Sequence, residues 1–327
     1  MAAPVTICVP VYNVERYIER CARSLFEQTF PDIEYLFVDD CSPDNSIQLL
    51  NEITREYPQR MPHVHIIRHE VNRGSSVARN TAVDSCRTEF LIHVDSDDFL
   101  EKNAVELLID KQKEGDYDIV TGNAKILHAD RTEVLRINEP TEKDLLIKEY
   151  IKPSLNHVLW GRLIRTSLYT ENHLAALEGC NMGEDHQITP RLFYFAQKVA
   201  AINDCLYNYN CTNSQSYMAR ASLKEDFSKK IVQDLKAFEI LYDFFSNRGE
   251  QDYSKCVATE LAKYIYKVTP VLVARRQKKE FHFAWSYYYR ISNNYEGVSP
   301  KNKIISFVKR HYYLYSFLKA VKCCFRK

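Results

Sequence analysis

Several features are missing from this chain of 327 residues. No apolar run approaches the roughly 18 residues that a bilayer span requires, so no transmembrane helix is expected. The N-terminus passes directly into strand-like sequence, and no signal peptide is expected there. Ten cysteines occur, at positions 8, 21, 41, 86, 180, 205, 211, 256, 323 and 324, with no Cys-x-x-Cys pair among them. That excludes the usual spacing of a structural zinc site. Several lie in apolar patterns where reduced, buried cysteine is normal, so a reducing cytoplasm is expected. There is no internal repeat, no low-complexity segment and no glycine-rich phosphate loop followed by Arg and Lys near the start. What remains is ordinary globular composition, 45% hydrophobic and 27% charged, with a net charge of +1.

The most informative stretch is Phe90-Leu91-Ile92-His93-Val94-Asp95-Ser96-Asp97-Asp98. An apolar strand ends in three carboxylates within four positions. Like charges this close repel unless a cation sits among them. Asp-x-Asp at a strand tip suits a hard divalent ion with oxygen ligands, Mg²⁺ or Mn²⁺, which commonly binds substrate phosphates alongside one or two carboxylates. The bland reading is an acidic turn capping the next helix. A second strand of the same kind, Ile33 to Val38, ends in Asp39-Asp40 and a turn cluster, Cys41 to Ser46. Val5 to Asn13 reads as a strand running into a loop, and Val14 to Gln28 as an amphipathic helix. A short strand, Val64 to Ile67, leads to Asn72-Arg73-Gly74 and a helix over Ser75 to Cys86. Alternating strands and helices predict an α/β fold with a mostly parallel sheet covered on both faces. Ligands bind at the carboxyl ends of such strands, where these acids lie.

In this order the motifs resemble the family 2 glycosyltransferases of the GT-A fold. The resemblance is carried by Val9-Pro10-Val11-Tyr12-Asn13, by Val38-Asp39-Asp40-Cys41-Ser42-Pro43-Asp44-Asn45-Ser46, and by Asn72-Arg73-Gly74 with Ala78-Arg79-Asn80. Val94-Asp95-Ser96-Asp97-Asp98 and Gly183-Glu184-Asp185 complete it. Cys41 departs from the pattern, because the family usually has glycine there and Cys tolerates positive φ less well. The resemblance implies an inverting enzyme that moves a sugar from a nucleotide-diphosphate donor, a UDP-sugar, to a hydroxyl of a glycan or lipid-linked acceptor in surface polysaccharide synthesis. It implies nucleotide contacts from Pro10, Tyr12, Asp40, Arg79, Asp95 and Ser96. Tyr12 would stack on the base, and Asp40 would accept from a uracil or thymine imide N–H. Asp97 would ligate the metal, and Asp185 would deprotonate the acceptor hydroxyl. Glu184 would orient that loop or touch the acceptor.

Each residue has a plainer reading. Tyr12 could be a packed aromatic at a strand end, Arg79 an ion-pair partner on a helix face, and Glu184-Asp185 an acidic helix start. His93 reads as a core residue, since its neighbours are apolar and no second His stands at ligand spacing. Trp160, in His157-Val158-Leu159-Trp160-Gly161-Arg162-Leu163-Ile164-Arg165, is either a platform for an acceptor sugar or a core residue. Gln197 to Ile202 reads as a strand, followed by Cys205 to Asn210. Asn210 stands where the family often has Arg, and Arg220 or Lys224 could reach the diphosphate.

Two regions are expected, a catalytic domain over 1–220 and a helical C-terminal region over 221–327. From Lys263 onward there are fifteen Lys or Arg and two acids, Glu280 and Glu296, so positive charge is concentrated at this end. Ile304 to Phe325 alternates apolar and basic residues, as an interfacial helix on an anionic bilayer would. Nucleic acid could also meet such a surface, but a lipid-linked acceptor suits the neighbouring motifs better, and a plain solvated bundle is the alternative. The expected location is cytoplasmic, peripheral at the inner face of the membrane. A receiver-type domain is disfavoured by the acid cluster and the many downstream elements, and a non-catalytic sugar-nucleotide-binding protein by Asp97 together with Asp185.

Overall fold

The computed structural model describes residues 4–137, 142–153, 157–214, 216 and 224–292. The chain divides into two compact units, residues 1–150 with 154–219, and residues 151–153 with 220–327.

The first unit is built on β1 (Val5–Val11), α1 (Ile18–Phe26), β2 (Ile33–Asp39), α2 (Ser46–Glu56), β3 (Val64–Arg68), α3 (Ser75–Ser85) and β4 (Phe90–His93). Then come β5 (Phe99–Leu100), α4 (Ala104–Gly115), β6 (Ile119–Leu127), β7 (Thr132–Leu135) and α5 (Lys143–Ile151). The series ends with β8 (Arg162–Arg165), α6 (Ser167–Thr170), α7 (Glu184–Phe195) and β9 (Val199–Asn210). Among the described residues the strands form one nine-stranded sheet, ordered β3-β2-β1-β4-β8-β6-β9-β5 with β7 on β6. The expected parallel pairing holds across β3, β2, β1 and β4. Beyond β4 the sheet is mixed, because β8 runs antiparallel to both β4 and β6.

The parallel strands read as nearly unbroken apolar sequence because both faces are covered. Val5, Ile7, Val9 and Val11 of β1 face α1, α2 and α4 in one core, while Cys8 joins Leu36, Val38 and α3 in the other. That alternation is the period-2 geometry of a strand. Ile188, Leu192 and Phe193 place α7 in the second core.

Two elements differ from the sequence expectation. The first helix begins at Ile18, because Asn13 is left-handed (φ 55°) and the Val14 N–H is taken by Ser46 Oγ at 3.0 Å. The expected strand 197–202 begins only at Val199 and runs on through 205–210 as one twelve-residue strand, β9, whose pairing with β6 shifts register around Asn123.

The second unit contains α8 (Lys224–Ser246), α9 (Gln251–Ala274) and α10 (Lys278–Ser292). Val257, Leu261, Ile265, Val268 and Leu272 recur at helical spacing along α9 and are buried. Phe238 and Phe245 of α8 and Phe281, Trp285 and Tyr288 of α10 are buried with them. Ile304 to Phe325, proposed from sequence as an interfacial helix, and Arg220 lie outside the described residues; so does the side chain of Lys224. No described helix is long and apolar enough to cross a membrane.

Candidate active site

The loops after β1, β2 and β4 gather at one edge of the parallel part of the sheet. Pro10 is half-buried near the end of β1, and Tyr12 just beyond it is 43% exposed. Asp44 ties this loop to the one after β2. Its Oδ1 accepts from Ser42 Oγ (2.7 Å) and Ser46 Oγ (2.6 Å), and its Oδ2 from the Glu15 N–H (2.9 Å). Burial disfavours the charge, but these hydrogen bonds outweigh it and hold the carboxyl below its ordinary range. Ser42 Oγ in turn accepts from the Asn13 N–H at 2.9 Å. Cys41, which stands where the resemblance implies glycine, takes the left-handed conformation with φ 58°. The turn is therefore retained at the steric cost that a side chain incurs there.

Asp40 is 2% exposed and has three protein donors. His69 Nδ1 (2.7 Å) and the Arg73 N–H (2.9 Å) meet Oδ1, and the Gly74 N–H (2.7 Å) meets Oδ2. An ionised carboxylate has about four acceptor positions, so about one is left for a ligand. Asp40 thus fixes the loop entering α3. Gly74, with φ 90°, lies so close to Asn181 that a Cβ would stand 2.4 Å from its Oδ1. The same Oδ1 accepts from the Ser76 N–H (3.1 Å) and Ser76 Oγ (2.8 Å).

Arg79, on α3, is 6% exposed and points at the acids. Its Nη2 donates to Asp95 Oδ1 at 2.5 Å, and its Nε lies 3.8 Å from Glu184 Oε1. Burial opposes its charge, yet Asp95, Asp185 and Glu184 outweigh burial and lock the guanidinium in its charged form. Its Nε and Nη1 have no hydrogen-bond partner among the described residues. Asp185 is the counterpart. Burial foremost, then the Glu184 charge, pushes its carboxyl up to about 8, against the pull of Arg79 and of the Leu159 N–H. Its Oδ1 is buried without a partner. Glu184 accepts from Ser75 Oγ at 3.1 Å, and burial raises its carboxyl too.

The acidic loop after β4 is held from β9. Tyr207 Oη donates to Asp98 Oδ2 (2.7 Å) and accepts from the Asp95 N–H (3.0 Å), while the Asn210 N–H meets Asp98 Oδ1 (2.7 Å). Asp98 thus has both oxygens turned into the protein. Asp97 is half-buried, with Oδ2 accepting from Asn213 Nδ2 at 2.8 Å. Burial and then the Asp95 charge raise its carboxyl. Among the described residues no three His, Cys, Asp or Glu side chains converge as a metal cage. The donor set still fits a hard cation that takes most of its ligands from phosphate and water, since carboxylates crowd here against their own repulsion. Ser96 is buried, 6% exposed.

The structure therefore brings Arg79, Asp95, Glu184 and Asp185 together, places Asp97 beside them, and sets Asp40 behind the α3 loop. Trp160 is 6% exposed and stacks on Tyr207 (4.2 Å between centroids, 14°), so its face is covered by protein in this state. His93 is a core residue, 1% exposed, with Nε2 3.2 Å from Tyr169 Oη; burial, then Arg79, depresses its pKa to about 3. Tyr207, Asn213, Asn181 and His69 escaped the sequence reading. The Tyr-x-Tyr pattern on β9 was visible, but nothing local tied Tyr207 to an acid 109 residues earlier.

The sequence model of the family described as Glycosyl transferase family 2 matches residues 6–167. The chain is 31% identical over 216 residues to the uncharacterized glycosyltransferase EpsJ of Bacillus subtilis, covering 63% of this chain and 60% of that relative's length. It is 30% identical over 260 residues to the putative glycosyltransferase EpsH of the same organism, covering 77% of this chain and 72% of EpsH. Among solved structures, S. aureus TarS residues 1–349 in complex with UDP-GlcNAc superposes with a TM-score of 0.57 at 21% identity. That match covers 90% of this chain and 91% of the other, a likeness of fold.

Proposed function

We propose that this chain, which belongs to glycosyl transferase family 2, is an inverting glycosyltransferase that uses a nucleotide-diphosphate sugar. The observation that carries this reading is the quartet of buried Arg79 and Glu184 with half-buried Asp95 and Asp185. It presents unpartnered donors on Arg79 and an unpartnered oxygen on Asp185 at the mouth of the parallel strands. Buried polar atoms without partners are costly, and such atoms gathered at a ligand edge favour a substrate as the missing partner.

The nucleoside lies between Tyr12 and the loop held by Asp40, beside Pro10, Asp95 and Ser96. A base with an imide N–H suits the one free acceptor position on Asp40, which favours a UDP-sugar. Arg79 turns its free donors to the diphosphate. Mg²⁺ or Mn²⁺, held by Asp97, would supply charge neutralisation for the departing nucleoside diphosphate. Asp185 takes the proton of the acceptor hydroxyl as that oxygen attacks the anomeric carbon, and Glu184 orients the acceptor loop. Attack from the face opposite the leaving group inverts the anomeric centre. The acceptor is a glycan or lipid-linked hydroxyl in surface polysaccharide synthesis. The basic C-terminal region, continuing into 304–327, holds the enzyme on the inner face of an anionic membrane, and nucleic acid is not a partner. Residues 1–220 are the catalytic domain in this reading, and 221–327 the membrane-associated region. Trp160 borders the acceptor side from beneath, packed on Tyr207.

The test is a panel of nucleotide sugars with Mn²⁺, read as released diphosphate. One UDP-sugar turning over with inversion is expected. Tight UDP binding without hydrolysis or transfer on any acceptor would favour a non-catalytic binding protein.

A further inference from the structure

The segment His157–Leu159 runs along α7, and three residues of that helix meet it or its continuation. Asp185, Thr189 and Phe193 are four residues apart and so share one helix face. The Leu159 N–H faces the Asp185 carboxyl and works against its raised pKa. Thr189 Oγ1 donates to the His157 carbonyl at 2.6 Å. Phe193 lies under the Arg162 guanidinium, 5.2 Å from its ring centre, and Arg162 Nε donates to the Val158 carbonyl at 2.9 Å. The carbonyls of two consecutive residues are thus fastened, His157 directly to α7 and Val158 through Arg162, and Leu159 follows them opposite Asp185.

Arg162 is an unusual choice for a fastener. It is 1% exposed and ranks first by volume among the fully buried side chains. Its Nη1 reaches Thr121 Oγ1 (2.7 Å) and its Nη2 reaches Tyr150 Oη (3.0 Å). Its plane also lies 5.2 Å from the Tyr150 ring, which stacks on Phe193 at 4.3 Å. Burying a guanidinium is expensive, and an apolar residue of similar volume would often pack at least as well. What an apolar residue lacks is a fork of donors in fixed geometry, able to hold a loop carbonyl against a strand and a helix at once.

We propose that Arg162 and Thr189 are positioning residues that hold the His157–Leu159 backbone in register with α7, so that the Leu159 N–H aims the Asp185 carboxylate at the acceptor hydroxyl. This rests on the reading of Asp185 as the base. Neither residue needs to touch substrate. Both act by fixing the one backbone donor that faces the reacting carboxylate, and a displacement near 1 Å at such a point can cost about 10²-fold in rate.

The test uses Thr189→Val, which deletes one hydroxyl at nearly constant volume, together with Arg162→Lys and Arg162→Met. Thr189→Val is expected to lower kcat about 10-fold while calorimetric affinity for UDP with Mn²⁺ stays at the wild-type value. The acid limb of kcat should move to higher pH, because a carboxylate that loses a donor becomes harder to ionise. Arg162→Lys should retain more kcat than Arg162→Met. In an Asp185→Asn background the Thr189→Val effect should vanish. Folded Thr189→Val with wild-type kcat and pH profile would overturn the proposal, and so would an undiminished effect in the Asp185→Asn background. If Asp185→Asn itself keeps wild-type kcat, the base reading fails first, and that result is seen without either positioning variant.

Discussion

Asp40 and Asp185 are both carboxylates set into the first unit, and the protein treats them in opposite ways. Asp40 accepts from His69, Arg73 and Gly74, three donors on two oxygens. Asp185 has one backbone donor, an oxygen with no partner, an acid beside it and a pKa pushed up to about 8. Hydrogen bonds to an ionised group stabilise it, whereas burial and a like charge destabilise it. One carboxylate therefore holds a loop, and the other is left under-satisfied at a cost in stability. A basic, under-satisfied carboxylate is what a general base at neutral pH requires.

The sharpest way to break this contrast is at Asp185. Asp185→Asn should slow transfer by about 10²–10⁴-fold, the usual span for a lost general base, with donor affinity unchanged. The same variant should be more stable than wild type at neutral pH. With its pKa raised in the folded state, Asp185 holds a proton there that the unfolded chain has already released. Wild-type stability therefore falls relative to the variant as pH rises from about 4 to about 8. Thermal melts of both proteins at pH 5 and pH 8 measure that gap, and a gap that shrinks with pH would contradict the raised pKa. In the wild type, kcat/KM should climb toward a limb near pH 8.

Asp97→Asn comes next. A neutral amide is a weak ligand for a hard cation, so UDP affinity should lose its dependence on Mn²⁺. Titration calorimetry with and without Mn²⁺ decides it, and an intact Mn²⁺ effect removes Asp97 from the metal site.

Asp40→Asn should act on the fold as much as on binding. One Asn oxygen can replace one acceptor, but the amide then faces a backbone N–H or His69, leaving a buried donor unmet. A loss of about 1–3 kcal/mol is expected by denaturant unfolding. A variant as stable as wild type would show that Asp40 does not anchor the Arg73–Gly74 loop. The smallest effect is at Cys41. Glycine adopts φ 58° without the Cβ clash, so Cys41→Gly should leave transfer unchanged and stabilise the turn, partly offset by the entropy glycine loses on folding. The net gain should be about 0.5 kcal/mol in the same assay, and a loss would mean that the thiol has packing worth more than the strain.

The parts of the site that lie within one strand and its turn were legible in the sequence. Asp39-Asp40 and Asp95 to Asp98 follow apolar runs that could only be strands, and parallel strands send their ends to one edge. The antiparallel half of the sheet was not legible, because β8 is four residues long and its register against β4 depends on no local pattern. The support from Tyr207 and Asn210 to Asp98 spans more than a hundred residues, and chain sequence does not mark such pairs. Trp160 showed an apolar face suited to a sugar or to a core, and only the position of Tyr207 in space assigns that face to packing.

The contact of Gly74 with Asn181 has an evolutionary reading. The loop that Asp40 holds and the loop that precedes Glu184 share this wall, with no room for even a methyl group between them. Neither loop can drift alone. A lineage that enlarges position 74 must first shrink or move position 181, so a change in the loop before α3 would be paired with a substitution in the loop before α7. The two loops are then inherited as a unit, in a region where surface loops ordinarily diversify one at a time.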